Sequence, residues 1–136
     1  MILVDTSVII DFMKGTDNEK AKLFEAILRQ GLPYGVASFT FLEVLQGARN
    51  DAEYQQLHDY LSTQTIYYIP NANESYAETA RLYYDLRRQG ITPGSTIDVL
   101  IACIAMKNDL YLLHNDNDFD LIASKATDLK TLRQLG

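Results

Sequence analysis

One cysteine, three prolines and seven glycines are scattered through the chain, and no apolar run is long. With Cys103 alone there is no internal disulfide and no cysteine-based metal site, so a reducing cytoplasm is the expected compartment. The longest unbroken apolar stretch, Val99 to Met106, is far too short to cross a bilayer, and no membrane association is expected. The opening Met1-Ile2-Leu3-Val4-Asp5 has no basic leader and meets an acid at once, so it is not expected to be a secretory signal. Bases are the scarcer charge, 12 Lys and Arg against 18 Asp and Glu, giving a net charge of −6. That balance argues against a generic duplex-DNA binder, whose affinity rests on many Lys and Arg contacts to phosphate. It leaves room for an enzyme of nucleic acid whose positive charge comes from bound metal. Repeats, low-complexity tracts and a Gly-rich phosphate loop are also missing; Gly90 and Gly94 do not make the required pattern. His58 and His114 lack metal-ligand spacing with each other or with Cys103, and Ser7 and Ser38 have no nearby His to complete a triad.

What is present is an ordinary globular composition, 47% hydrophobic and 22% charged over 136 residues, expected to form one domain over 1–136. Ile2 to Val4, Tyr34 to Ala37, Ile66 to Ile69 (closed by Pro70), Tyr111 to Leu113 and Leu129 to Leu132 read as short strands. Between them, helical patterns run over Thr6 to Met13, Asn18 to Gln30 and Ser38 to about Ala48, the last with Ser38 as its cap. Further helices are expected over Asp51 to about Leu61, Glu74 to Gln89, Ser95 to Lys107 and Phe119 to Ala123. Strands alternating with helices predict a three-layer α/β/α sandwich around a mostly parallel sheet of four to five strands. In such sheets the site lies outside the carboxyl ends of the strands.

Several acids at those positions lack a local partner. Asp5 immediately follows the first strand, where capping the next helix is its ordinary explanation. Glu43 sits mid-helix with Phe39, Thr40, Gln46 and Gly47 around it, none of them basic. Asp98 lies in Thr96-Ile97-Asp98-Val99-Leu100-Ile101-Ala102, a helix apolar all round and therefore buried, with no base three or four residues away. The helix dipole excuses an acid in the first turn only in part. Asp116 and Asp118 follow the fourth strand in Leu113-His114-Asn115-Asp116-Asn117-Asp118-Phe119, and Asp118 has an alternative use as the cap of the Phe119 helix. Carboxylates converging without Lys or Arg repel one another, and a hard divalent cation such as Mg²⁺ or Mn²⁺ is the usual remedy. Such a constellation suits hydrolysis of a phosphodiester.

Taken in order, Ile2-Leu3-Val4-Asp5-Thr6-Ser7, Phe41-Leu42-Glu43-Val44-Leu45-Gln46-Gly47-Ala48-Arg49, the Thr96 to Ala102 segment and the Leu113 to Phe119 segment resemble a PIN-domain ribonuclease, most closely the VapC-type toxin of bacterial toxin–antitoxin pairs. The resemblance implies that Asp5, Glu43, Asp98 and Asp116 form the catalytic and metal site, joined by Asp118, with Thr6, Ser7 and Thr96 supporting it. It further implies Mg²⁺- or Mn²⁺-dependent cleavage of single-stranded RNA such as a tRNA or rRNA loop, a homodimer, and a small antitoxin that enters the acidic groove. Asp5 and Asp98 are expected to hold the main ion and Asp116 to complete its shell. Glu43 is expected either to hold a second ion or to orient the attacking water. Arg49, Arg87 and Arg88 are candidates to lend charge to RNA, and Tyr83 and Tyr84 to stack on bases, against the plainer reading of solvated helix charges and core.

Two other classes compete. A phosphoryl-transfer enzyme of the dehalogenase-like type wants a second Asp where Ser7 stands, and a receiver domain wants its phospho-accepting Asp after a strand, whereas Asp98 is in a helix. A catalytically inactive PIN-like module that only binds a partner is the remaining alternative, although no acid of the set is replaced by a neutral residue.

Overall fold

The computed structural model describes residues 1–135. Five strands, β1 (Ile2–Val4), β2 (Tyr34–Ala37), β3 (Thr65–Tyr67), β4 (Tyr111–Leu113) and β5 (Lys130–Thr131), form a wholly parallel sheet in the order β3-β2-β1-β4-β5. Parallel strands need crossovers, and seven helices supply them: α1 (Thr6–Met13), α2 (Glu19–Gln30), α3 (Ser38–Gln46), α4 (Asp51–Ser62), α5 (Ala72–Arg88), α6 (Thr96–Lys107) and α7 (Asn117–Ala123).

Successive strand residues face opposite sides of a sheet, and the core divides accordingly. Leu3, Ala37 and Leu112 pack with Leu86 of α5, the apolar run of α6 and Phe119 and Ile122 of α7. Val4, Val36 and Leu113 pack on the other face with Val8 and Ile9 of α1, Phe24 and Ile27 of α2, and Val44 and Leu61 from α3 and α4. Three layers result, as the alternation of strands and helices predicts. Each fully buried Leu, Ile or Phe contributes roughly 1.5–3 kcal/mol of burial. Gly35 lets β2 and β3 come together, because a Cβ there would stand 2.5 Å from a Tyr67 ring carbon and 2.9 Å from the Thr65 carbonyl oxygen.

Several boundaries differ from the sequence reading. Ser38 does not cap α3. It is the first helical residue, and Ala37, extended at φ −73° and ψ 150°, occupies the cap with no side-chain bond. Strand β3 runs from Thr65 to Tyr67 rather than from Ile66 to Ile69, the span that still pairs with Gly35 to Ala37. Helix α5 begins at Ala72, after Asn71 turns the chain through a left-handed conformation (φ 48°). Helix α7 begins at Asn117 with Asp116 as its cap, so Asp118 lies inside the first turn instead of capping it.

The chain builds outward from β1 through β2 to β3, then returns to lay β4 against the other side of β1. That reversal opens a crevice beyond the carboxyl ends of β1 and β4, where ligands of open α/β sheets bind. Asp5 follows β1 directly, and Asp116 lies three residues beyond Leu113 at the end of β4.

Candidate metal centre

Asp5 is only 3% exposed. Its Oδ2 accepts from the Ser7 backbone N–H at 3.1 Å and from Ser7 Oγ at 2.6 Å, which caps α1. Its Oδ1 is buried without any hydrogen-bond partner, the one such side-chain atom among the described residues. Burial pushes the Asp5 carboxyl above its usual range despite the Ser7 bonds, and the charge of Glu43 adds to the rise. A buried, unpaired carboxylate oxygen is costly unless something absent from the polypeptide completes it. Ser7 also accepts, at Oγ, from the Asn115 backbone N–H at 3.0 Å, and so ties the start of α1 to the loop after β4.

Glu43 is half-buried on α3, and its Oε1 accepts from Thr6 Oγ1 at 2.8 Å. The Thr6 hydroxyl also shares a 3.0 Å hydrogen bond with that of the fully buried Thr40. Asp98 does not cap α6, because Ser95 Oγ already accepts the Ile97 N–H. It stands in the first turn with its pKa pushed up to about 7, by burial first and then by the charges of Asp5, Asp116, Asp118 and Glu43. Asp116 Oδ1 accepts from the Asp118 N–H at 2.9 Å, and Asp118 Oδ2 accepts from the Gly94 N–H at 2.7 Å. Asp98, Asp116 and Asp118 bring carboxylate oxygens within 4.8 Å of one another. Elements from both halves of the chain thus deliver mutually repelling acids to one crevice, and among the described residues no Lys, Arg or His forms an ion pair with any of them.

The remaining predicted residues lie differently. Arg49 is held by Glu53, Nη2 to Oε2 at 2.9 Å, at the start of α4. Arg87 and Arg88 cluster on the exposed Tyr84 ring of α5, and Arg88 Nη1 donates to the Tyr84 hydroxyl at 2.9 Å. Thr96 is exposed and faces a cavity of about 390 Å³ that it shares with Tyr83 and Arg87. Among the described residues none of these side chains hydrogen-bonds to or pairs with an acid of the crevice. Conversely, Thr40, Gly94 and Asn115 support the acids and were not singled out from the sequence. Gly94 and Asn115 act through backbone amides, which leave no residue-type signal.

The donor set is all oxygen, the acids are unneutralised, and one buried oxygen is orphaned. These features fit a hard divalent cation.

A profile of the PIN domain matches residues 2–125. The chain belongs to the PIN-domain family. Among curated proteins this PIN domain is 28% identical over 131 residues to VapC ribonuclease Mb1587 of Mycobacterium bovis, covering 96% of each chain. It is equally similar to ribonuclease VapC11 of Mycobacterium tuberculosis, at 28% identity and 96% coverage of each. Its fold is shared with a chain of VapBC2 from Rickettsia felis bound to a promoter DNA fragment, at TM-score 0.73, 19% identity and 97% and 98% coverage. A chain of VapBC-1 from nontypeable Haemophilus influenzae gives TM-score 0.72 at 24% identity, with 97% of both chains covered. Among the described residues no helix is long and apolar enough to cross a membrane.

Proposed function

We propose that this PIN-domain protein is a Mg²⁺- or Mn²⁺-dependent endoribonuclease of the VapC type, the toxin of a toxin–antitoxin pair, acting in the cytoplasm on single-stranded RNA such as a tRNA or rRNA loop. The observation that carries the reading is the buried, unpartnered Oδ1 of Asp5 beside acids with which, among the described residues, no Lys, Arg or His pairs. The ribonuclease names of its curated relatives point the same way.

Asp5 and Asp98 would hold the ion, with Asp116 and Asp118 completing its surroundings. When bound, it supplies charge neutralisation and Lewis acidity at a phosphodiester oxygen. The polypeptide does the rest. Ser7 fixes Asp5 Oδ2 and leaves Oδ1 without a protein partner. The Gly94 amide holds Asp118, and Thr6 fixes Glu43 Oε1, leaving Oε2 to accept a proton from the attacking water. In the hydrolysis, the water oxygen bonds to phosphorus, the ester bond to a ribose oxygen breaks, and that oxygen leaves as a hydroxyl with a proton taken from solvent. A homodimer and a small antitoxin segment seated in the acidic crevice belong to the same reading, consistent with solved neighbours described as a toxin–antitoxin complex and as a member of the VapBC family of toxin–antitoxin systems.

The test is brief induction of wild type and of Asp5→Asn in a bacterial host, followed by sequencing of RNA ends. New ends at discrete sites with wild type alone, together with growth arrest, bear the reading out. Arrest of equal depth with both proteins, and no new ends, replaces it with a partner-binding module.

A further inference from the structure

Lys20, in the first turn of α2, reaches across to the residue after β5, and its Nζ donates to the Leu132 carbonyl at 3.0 Å. It is partly buried, and among the described residues its ammonium forms no ion pair. Burial lowers its pKa, and the charge of nearby Arg133 pushes the same way. Most other cations of the chain have an acid beside them, as in Lys22–Asp17, Arg49–Glu53, Lys107–Glu78 and Lys130–Asp109. Here the one ion pair is with Asp120, at 3.7 Å from Arg133 Nη2 and 3.6 Å from His114 Nε2, while Glu19 stands near Lys20 and Asp116 lines the same cavity. A shared, half-exposed pair of that length is weak. Lys20 and Arg133 line a cavity of about 220 Å³ together with Asp116, an acid of the metal centre. Two cations from distant segments therefore face one another beside the crevice, in a protein of net charge −6.

Acids stand nearby, but the one ion pair that holds Arg133 is long and shared, and Lys20 has none among the described residues. A nucleic-acid strand whose scissile phosphate lies at Asp116 carries its next phosphates within reach of the same cavity, and an ammonium beside a guanidinium fork suits phosphate oxygens. We propose that Lys20 and Arg133 grip a backbone phosphate of the single-stranded RNA flanking the one to be cleaved, and thereby fix the direction in which the strand crosses the acids. The proposal rests on the ribonuclease reading above.

The probe is a short fluorescein-labelled oligouridylate, followed by polarisation over a salt series with Ca²⁺ in place of Mg²⁺. Lys20→Gln and Arg133→Gln are expected to weaken binding about tenfold each at low salt. Each should also reduce the slope of log affinity against log salt, and the double variant by about 0.7, the value for one phosphate contact on a single strand. Lys20→Arg should restore both. Arg133 is exposed, so its variant decides the matter even if Lys20→Gln folds poorly. Affinity and slope unchanged in the Gln variants, with wild-type RNA cleavage in Mg²⁺ abolished by Asp5→Asn, overturn the phosphate grip and leave the nuclease standing. Loss of polyglutamate binding with RNA binding intact assigns the pair to an acidic protein segment and also overturns it. A wild type that neither binds nor cleaves RNA removes both readings.

Discussion

Gly94 and Asp118, from the loop before α6 and the first turn of α7, are joined by an N–H to Oδ2 hydrogen bond of 2.7 Å. A Cβ on Gly94 would stand 3.0 Å from that oxygen, so the bond and the missing side chain belong together. Gly94→Ala should push Asp118 aside by a few tenths of an ångström. Mn²⁺ affinity by calorimetry is expected to fall about tenfold, the usual cost of disturbing a group that orients a ligand. The melting temperature of the metal-free protein should barely move. Unchanged Mn²⁺ affinity would show that Asp118 takes no part in binding.

Asp98 makes the metal-free fold sensitive to pH. Its folded pKa is about 7 against an ordinary 3.8, so between those values the native state holds more proton than the unfolded chain. Stability therefore falls as pH rises through that window and levels off above it. The fall should be about 1–2 kcal/mol after allowing for solvent screening. His114, pushed down by burial, works in the opposite sense, costing stability as pH drops below its unfolded value of 6.5. Asp98→Asn should remove the first effect and keep the second, in melts run with EDTA from about pH 5 to pH 8. Divalent affinity in the unaltered protein should climb through neutrality, because the ion displaces the Asp98 proton.

Asp5 carries two duties that substitution separates. Asp5→Asn keeps an acceptor for Ser7 and removes the buried charge, so metal-free stability should hold or rise by up to about 1 kcal/mol while cleavage is lost. Asp5→Ala also removes the cap and should cost about 1–2 kcal/mol. Urea titrations in EDTA distinguish them. If Asn proves as damaging as Ala, the orphaned oxygen is no liability and the electrostatic account is wrong.

Thr6→Val removes the 2.8 Å bond to Glu43 and the 3.0 Å bond to buried Thr40. A loss of about 1–2 kcal/mol is expected from the unsatisfied partners. RNA cleavage should slow by about tenfold to a hundredfold as Glu43 loses its alignment. Thr6→Ser should retain most of both, measured by denaturation and by single-turnover assay. A Val variant with full cleavage would take Glu43 out of the chemistry.

The acids were legible in the sequence because each stood after a strand or on an apolar helix without a base in reach; Asp98 in Ile97-Asp98-Val99 is the plainest case. The layered fold was legible in the alternation of short Val- and Leu-rich runs with amphipathic stretches. The sheet order was not, since no local pattern says that β4 returns to β1. Ser38 misled because β2 passes into α3 through the extended Ala37 backbone, which needs no polar cap. Asp116 and Asp118 stand two residues apart, and either could cap the following helix; a backbone amide at Gly94 settles their division of labour.

The sheet order also governs when activity can arise. Asn115 docks on Ser7 across 108 residues of chain, and β1 gains its second neighbour only with β4. Synthesis must therefore pass β4 and the loop after it before the crevice can be assembled. Fragments that stop short of β4, whatever helices they have formed, lack both Asp116 and Asp118 and the tie between Asn115 and Ser7.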